Sequence, residues 1–218
     1  MTQSTRARQA APPRRLSEDS LAAGLRYLRR ADRDLARLIR EQGPPPLWAR
    51  EEGFPTLVQI ILEQQVSLAS ARAAFDRLKT AASPLTPERL LALDDAALRL
   101  SGFSRQKSLY VRHLARLIIE GRLDLQALNA LDDERVGEEL RQVKGIGRWT
   151  ADIYMLMAMG RLDVWPSGDL ALAVAAQKIK GLAARPSPDR LDAIAEPWRP
   201  WRALAARVLW QFYLSRRG

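Results

Sequence analysis

Leu140-Arg141-Gln142-Val143-Lys144-Gly145-Ile146-Gly147-Arg148-Trp149-Thr150-Ala151-Asp152 reads as a helix that ends, a tight turn through Gly-Ile-Gly, and a new helix that begins near Arg148. Glycine at 145 and 147 lets the backbone turn sharply and come close to a ligand. Amides at the start of the second helix point outward and attract an anion. Such donors bind any phosphate, so the element positions a nucleic-acid backbone without reading its sequence. A bare Gly-x-Gly also occurs at ordinary helix corners. The longer pattern Leu-x-x-Val-x-Gly-Ile-Gly-x-x-Thr-Ala is far more specific.

Outward from this corner the chain reads as nearly all helix. Leu21, Leu25, Leu28, Leu35, Leu38 and Ile39 recur at helical spacing with arginines between them. They predict a helix that stops before Gly43-Pro44-Pro45-Pro46. Pro55 opens a second long helix running towards Lys79. Glu88 to Leu98 predicts a short helix, and Ser104 to Glu120 a longer one with Tyr110, Leu114, Leu117 and Ile118 on one face. Asp132-Asp133-Glu134 opens another, acidic at the end the macrodipole favours. Trp201, Leu204, Ala205, Val208, Leu209 and Phe212 form a last amphipathic stripe. Strand-like alternation is not evident, so the expected fold class is all-α.

Composition narrows the partner. Of 218 residues, 47% are hydrophobic, ample for a core, which excludes a disordered chain. Lys plus Arg number 35 against 25 Asp plus Glu, a net charge of +10 that points to a polyanion. With no cysteine, a disulfide scaffold, a cysteine nucleophile, cysteine-ligated zinc and iron–sulfur clusters are excluded. His113, the one histidine, cannot build a multi-histidine metal site and reads as a solvated helix residue. No apolar run approaches the ~18 residues of a membrane span, and MTQSTRARQAAPPRR lacks the apolar segment of a secretory signal. Arg6, Arg8, Arg14 and Arg15, with no acid among them, predict a disordered basic arm over 1–16. It would serve as a solubilising tail or a nonspecific phosphate-binding arm.

Downstream of the hairpin, Gly160-Arg161-Leu162-Asp163-Val164-Trp165-Pro166-Ser167-Gly168-Asp169-Leu170 leads through a proline turn and a glycine to an acid at the head of a helix. Aspartate caps a helix well, and position alone favours that role for Asp169 or for Asp163.

The hairpin followed by this turn and its aspartate resembles the helix-hairpin-helix, Gly-Pro-Asp superfamily of DNA glycosylases. Within it the sequence is most similar to the bacterial 3-methyladenine DNA glycosylase II (AlkA-like) family. The likeness extends through Ile61-Leu62-Glu63-Gln64-Gln65-Val66-Ser67, Gly102-Phe103-Ser104-Arg105-Gln106-Lys107, Trp198-Arg199-Pro200-Trp201-Arg202 and Leu209-Trp210. It implies a helical region over 17–218 in two lobes flanking a DNA-binding cleft. One lobe spans about 55–165 and carries the hairpin; the other takes 17–54 plus 166–218.

The resemblance also implies roles. Asp169 is the catalytic aspartate. Lys144, Gly145, Gly147, Thr150 and Lys107 hold DNA phosphates. The carbonyls of Arg141, Val143 and Ile146 ligate a structural Na+ or K+, and catalysis needs no cofactor. Gln64 and Gln65 fill the gap left by an extruded nucleotide. Trp149 and Trp198 wall the base pocket with Ile153. Ile153 and Leu170 replace aromatic residues of the family, which implies a wider or less aromatic pocket. Trp48, Trp165 and Trp210 are assigned to core packing. The implied partner is double-stranded DNA with alkylated bases, met by a monomer in a bacterial cytoplasm.

These residue types suit the chemistry. Taking a base out of the stack costs a few kcal/mol, and a long uncharged side chain such as Gln65 can occupy the void. Breaking the glycosidic bond leaves positive charge on C1′ and the ring oxygen, which a buried carboxylate stabilises. A strong general acid is not apparent near the motif; a base already cationic through alkylation leaves as a neutral molecule and needs none. Indole faces favour such a cation by about 0.5–2 kcal/mol each. Bifunctional relatives carry a lysine at the place of Trp149, whose amine forms a Schiff base. Tryptophan cannot, so the expected enzyme is monofunctional and leaves an abasic site. Two rivals stay open: a glycosylase for deaminated or oxidised bases, and a non-catalytic hairpin module that only binds DNA.

Overall fold

Three of the helices expected from apolar spacing are each cut by a single capping corner. The computed structural model describes residues 15–216. The first expected helix is two, α1 (Glu18–Ala31) and α2 (Arg33–Gln42). Between them Asp32 is extended, at φ −149° and ψ 118°; it ends α1 with its own N–H and opens α2 by accepting from the N–H groups of Asp34 and Leu35. The second divides into α3 (Phe54–Glu63) and α4 (Leu68–Ala81), with Ser67 capping the latter. The third divides into α5 (Pro87–Ala92) and α6 (Asp95–Leu100), with Asp94 as the cap. Capping side chains satisfy N–H groups that a helix start leaves open, so each corner is a stable stop rather than a kink.

The remaining helices follow the sequence more closely. Ser104 caps α7 (Arg105–Ile119) and Asp132 caps α8 (Asp133–Arg141). Then come α9 (Arg148–Met157), α10 (Leu170–Ile179), α11 (Pro188–Ala195) and α12 (Arg202–Ser215), with short 3-10 turns at Ala127–Ala130 and Glu196–Trp198. The described residues form an all-α protein, as expected; their one strand-like feature is an isolated bridge between Arg15 and Arg161.

Helix α3 packs on α4, α7 and α9, and α8 on α9, while α12 packs on α1, α2 and α10. One continuous apolar core runs through both sets, from Leu28 and Leu35 through Leu57 and Ile60 to Leu204 and Leu209. Arg207 of α12 sits inside it, 2% exposed. Its guanidinium donates to the carbonyls of Leu47 (2.7 Å), Leu156 (2.8 Å) and Ala203 (3.0 Å), tying α12 to the end of α9 and to the proline-rich segment. Burial pulls its pKa down to about 10, which still leaves it charged at neutral pH. Asp32 makes a comparable tie. Its carboxylate also accepts from Lys180 (2.6 Å) and from the indole of Trp198 (2.9 Å). Burial alone would raise its pKa, yet these donors and the Lys180 charge hold it below the ordinary value.

The expected basic arm lies almost wholly outside the described residues, Arg6, Arg8 and Arg14 included. Residues 15 and 16 correct its boundary. Arg15 pairs with Glu52 at 2.6 Å and donates to Asn129, and Leu16 is buried with its N–H on the Gly160 carbonyl at 2.6 Å. Both belong to the folded body.

Candidate active site

The hairpin between α8 and α9 uses its two glycines differently. Gly145 has φ +88°, and a Cβ there would lie 2.1 Å from the ring of Tyr110 on α7. Both its conformation and its inner neighbour demand glycine. Gly147 is exposed at φ −88°, and a Cβ would meet nothing within 4 Å. It opens α9 with no capping side chain, so the first-turn N–H groups remain available to an anion. The side chain of Lys144 is exposed beside them.

Behind the hairpin, His113 is more than a solvated residue. Its Nδ1 accepts the backbone N–H of Lys144 at 3.1 Å. Burial, then the charges of Lys144, Arg122 and Arg116, hold its imidazole below its usual pKa and so favour the neutral form that can accept.

Two expected phosphate contacts face inward instead. Thr150 is 3% exposed, and its hydroxyl oxygen accepts from the amide of Gln64 at 2.9 Å. Lys107 donates its ammonium to the carbonyls of Leu62 (2.6 Å) and Gln64 (2.7 Å), and burial lowers its pKa. The paired glutamines also part company. Gln64 is half-buried and donates to the Gly145 carbonyl at 2.8 Å as well as to Thr150, so it is a strut to the hairpin and not a wedge. Gln65 is exposed, in the left-handed region at φ +58°.

Asp169 caps α10. Its Oδ1 accepts from the Leu172 N–H at 2.9 Å and from the indole of Trp210 at 3.2 Å. Its Oδ2 accepts from the indole of Trp149 at 2.9 Å. Three N–H groups from three helices thus converge on one carboxylate that is 9% exposed. Trp149 is half-buried beside it, and Ile153, 5% exposed, follows one turn along α9. Leu170 is exposed. Trp210, assigned from sequence to packing alone, is buried but also binds the carboxylate. Its place in the Leu209-Trp210 stretch was the available signal.

Trp198 does not join this cluster. It is fully buried, edge-on to Trp165 with ring centres 5.5 Å apart, and spends its N–H on Asp32. The burial of that ring corrects its assignment as a pocket wall. Asp163 holds Arg199 and Arg202, the latter at 2.9 Å, which makes it a structural junction.

A second buried acid lies elsewhere on α9. Asp152 faces a cavity of about 570 Å³ bordered by Gly137, Arg141, Met155, Trp165 and Arg202. Its Oδ2 is buried with no hydrogen-bond partner, and Arg148 approaches it to 3.8 Å. Burial pushes its pKa up to about 7, against the pull of Arg148 and Arg141.

An all-helical body that presents a glycine hairpin and, beyond it, a helix-capping aspartate defines a helix-hairpin-helix protein. The model of the HhH-GPD superfamily of base excision DNA repair proteins matches residues 58–200, and the chain belongs to that superfamily. It is 27% identical over 201 residues to the alkylbase DNA glycosidase-like protein mag2 of Schizosaccharomyces pombe, spanning 88% of this chain and 94% of that one. The structure of the 3-methyladenine DNA glycosylase Mag1 of the same yeast, in complex with abasic DNA, superposes with a TM-score of 0.81 at 28% identity, over 86% of this chain and 95% of that one. A DNA-3-methyladenine glycosidase from Bacillus halodurans gives 0.77 at 31% identity over 94% of both chains. The resemblance read from the sequence is thereby confirmed.

Proposed function

We propose that this protein is a monofunctional DNA glycosylase that hydrolyses the N-glycosidic bond of alkylated purines, of the 3-methyladenine and 7-methylguanine type, in double-stranded DNA. It acts in base excision repair and leaves an abasic site. The observation that carries the reading is the Asp169 carboxylate, buried at the head of α10 and gripped by Leu172, Trp149 and Trp210. A carboxylate fixed by N–H donors needs no reorganisation as charge develops nearby.

The parts divide as follows. The open N–H groups after Gly147, with Lys144, take a DNA phosphate. Gln65 enters the stack as the damaged nucleotide leaves it. Asp169 offsets the positive charge on the sugar and orients a water towards C1′. Trp149, with Ile153 behind it, borders the base, and its π face favours a cationic purine. That base departs neutral, so no proton donor is required. No amine stands at position 149, so the attack is by water and no Schiff base forms. The carbonyls of Arg141, at the last residue of α8, and of Val143 and Ile146 in the turn are hard oxygen donors of the kind that suit Na+ or K+. Val143 keeps a free lone pair after accepting the Ile146 N–H at 3.0 Å. An ion there would brace the hairpin. The protein works as a monomer in the bacterial cytoplasm.

The test is mass analysis of free bases released from methylated DNA. Release of methylated purines by the parent and none by Asp169→Asn, with DNA binding retained, is the expected result. Release of only deaminated or oxidised bases from a lesion panel would replace the substrate assignment, and equal release by both proteins would remove Asp169 from the mechanism.

A further inference from the structure

The two corners expected to touch DNA are mounted on one face of α7. Lys107, Tyr110 and His113 recur along it at helical spacing. Lys107 grips the carbonyls of Leu62 and Gln64, where α3 ends and the wedge turn begins. Tyr110 fills the space under Gly145, and His113 accepts the Lys144 N–H. Gln64 then spans from the wedge turn to the hairpin through Gly145 and Thr150.

Two physical points give this arrangement a purpose. Carbonyls at a helix C-terminus lack partners within the helix, and a cation placed there satisfies them and the dipole together. Gln65 holds a positive φ, a conformation that a residue with a side chain keeps only when its surroundings impose it. Lys107 and Gln64 supply those surroundings from either side.

We propose that Lys107 and Gln64 are positioning residues for nucleotide extrusion: they lock the Gln65 turn to the phosphate-holding hairpin, so that gripping the backbone fixes where Gln65 enters the stack. This rests on the glycosylase reading above and adds to it a coupling between two loops. Lys107 therefore acts through Gln65 and touches no phosphate.

The experiment is single-turnover base release from a duplex with one 7-methylguanine, placed opposite cytosine or opposite a tetrahydrofuran abasic analogue. Extrusion is easier in the second duplex because there is no pairing to break. Lys107→Met is expected to slow release about 10-fold opposite cytosine and less than about 2-fold opposite the analogue, the same pattern as Gln65→Ala. The double variant is expected to be no more than about 2-fold slower than Gln65→Ala, since residues acting through one another are not additive. The salt dependence of binding stays unchanged for Lys107→Met; loss of a phosphate contact would lower its slope by about 1. Gln64→Ala, which removes only the cross-turn bonds, gives the same substrate pattern and keeps the test decisive if Lys107→Met fails to fold. Equal slowing on both duplexes, independent effects in the double variant, or a reduced salt slope would overturn the coupling. A parent that releases no base sinks the glycosylase reading instead, and an unaffected Gln65→Ala sinks the wedge.

Discussion

Two buried aspartates, one at the head of α10 and one on the cavity side of α9, are almost equally hidden from solvent and differ in every other respect. Asp169 is met by three N–H donors from three helices. Asp152 has an oxygen with no hydrogen-bond partner, a loosely placed arginine and a pKa near 7. A search for shifted acids in large cavities would choose Asp152, because perturbed groups cluster at functional sites. The hairpin, the glycine turn and the converging indoles choose Asp169. Burial and a shifted pKa measure poor solvation, whereas a working carboxylate needs its charge already accommodated.

Substitutions at the two aspartates should separate their roles. The largest expected effect is on Asp169→Asn, which keeps the helix cap but loses the charge. Single-turnover base release should fall by at least about 1,000-fold, and Tm should drop by about 2–8 °C because the new amide NH2 faces the Trp149 indole N–H that Oδ2 accepted. Asp152→Asn should leave release at pH 7 within about 3-fold, and an inactive Asp152→Asn beside an active Asp169→Asn would reverse the two roles.

The second effect is on stability. The folded pKa of Asp152 lies above its unfolded value of 3.8. Between about pH 4 and 7 the native state keeps a proton that the unfolded chain has lost, so stability falls as pH rises through that window and levels off above it. Asp152→Asn removes this dependence. Urea denaturation should show it gaining about 2–4 kcal/mol on the parent between pH 4 and pH 8.

A smaller change sharpens the contrast at Asp169. Trp210→Phe keeps the ring in the core and removes one donor from Oδ1, which should slow release about 10-fold. The smallest is Arg148→Ala. It withdraws the cation nearest Asp152, from a side chain that is 66% exposed, and should move the carboxyl's NMR titration midpoint slightly upward. The accompanying change in Tm should stay within about 2 °C.

Much of the molecule is legible in local sequence signals. Ser104, Asp132 and Asp169 were readable as helix starts because a cap is a one-residue feature. The corners at Asp32, Gln64–Ser67 and Asp94 were hidden because apolar spacing continues across them; Leu28 and Leu35 stand a whole heptad apart on either side of Asp32. Gln64 and Gln65 are identical in sequence and are separated by backbone conformation, which composition does not encode. Lys107 looked like a phosphate ligand, as any lysine near a DNA surface does, and its carbonyl partners leave no trace in the sequence. Which indole reaches Asp169 and which reaches Asp32 depends on how α12 and the 3-10 turn at Trp198 dock, a tertiary matter.

The four-way grip of Asp32 sets an order of assembly. Helices α1 and α2 are translated well before Lys180 and Trp198, the groups that clasp their shared corner. Their shared corner therefore gains its full clasp only after the segment through Trp198 has been made. Removing α1 and α2 would leave the Lys180 ammonium and the Trp198 indole without the carboxylate that joins them across separations of 148 and 166 residues.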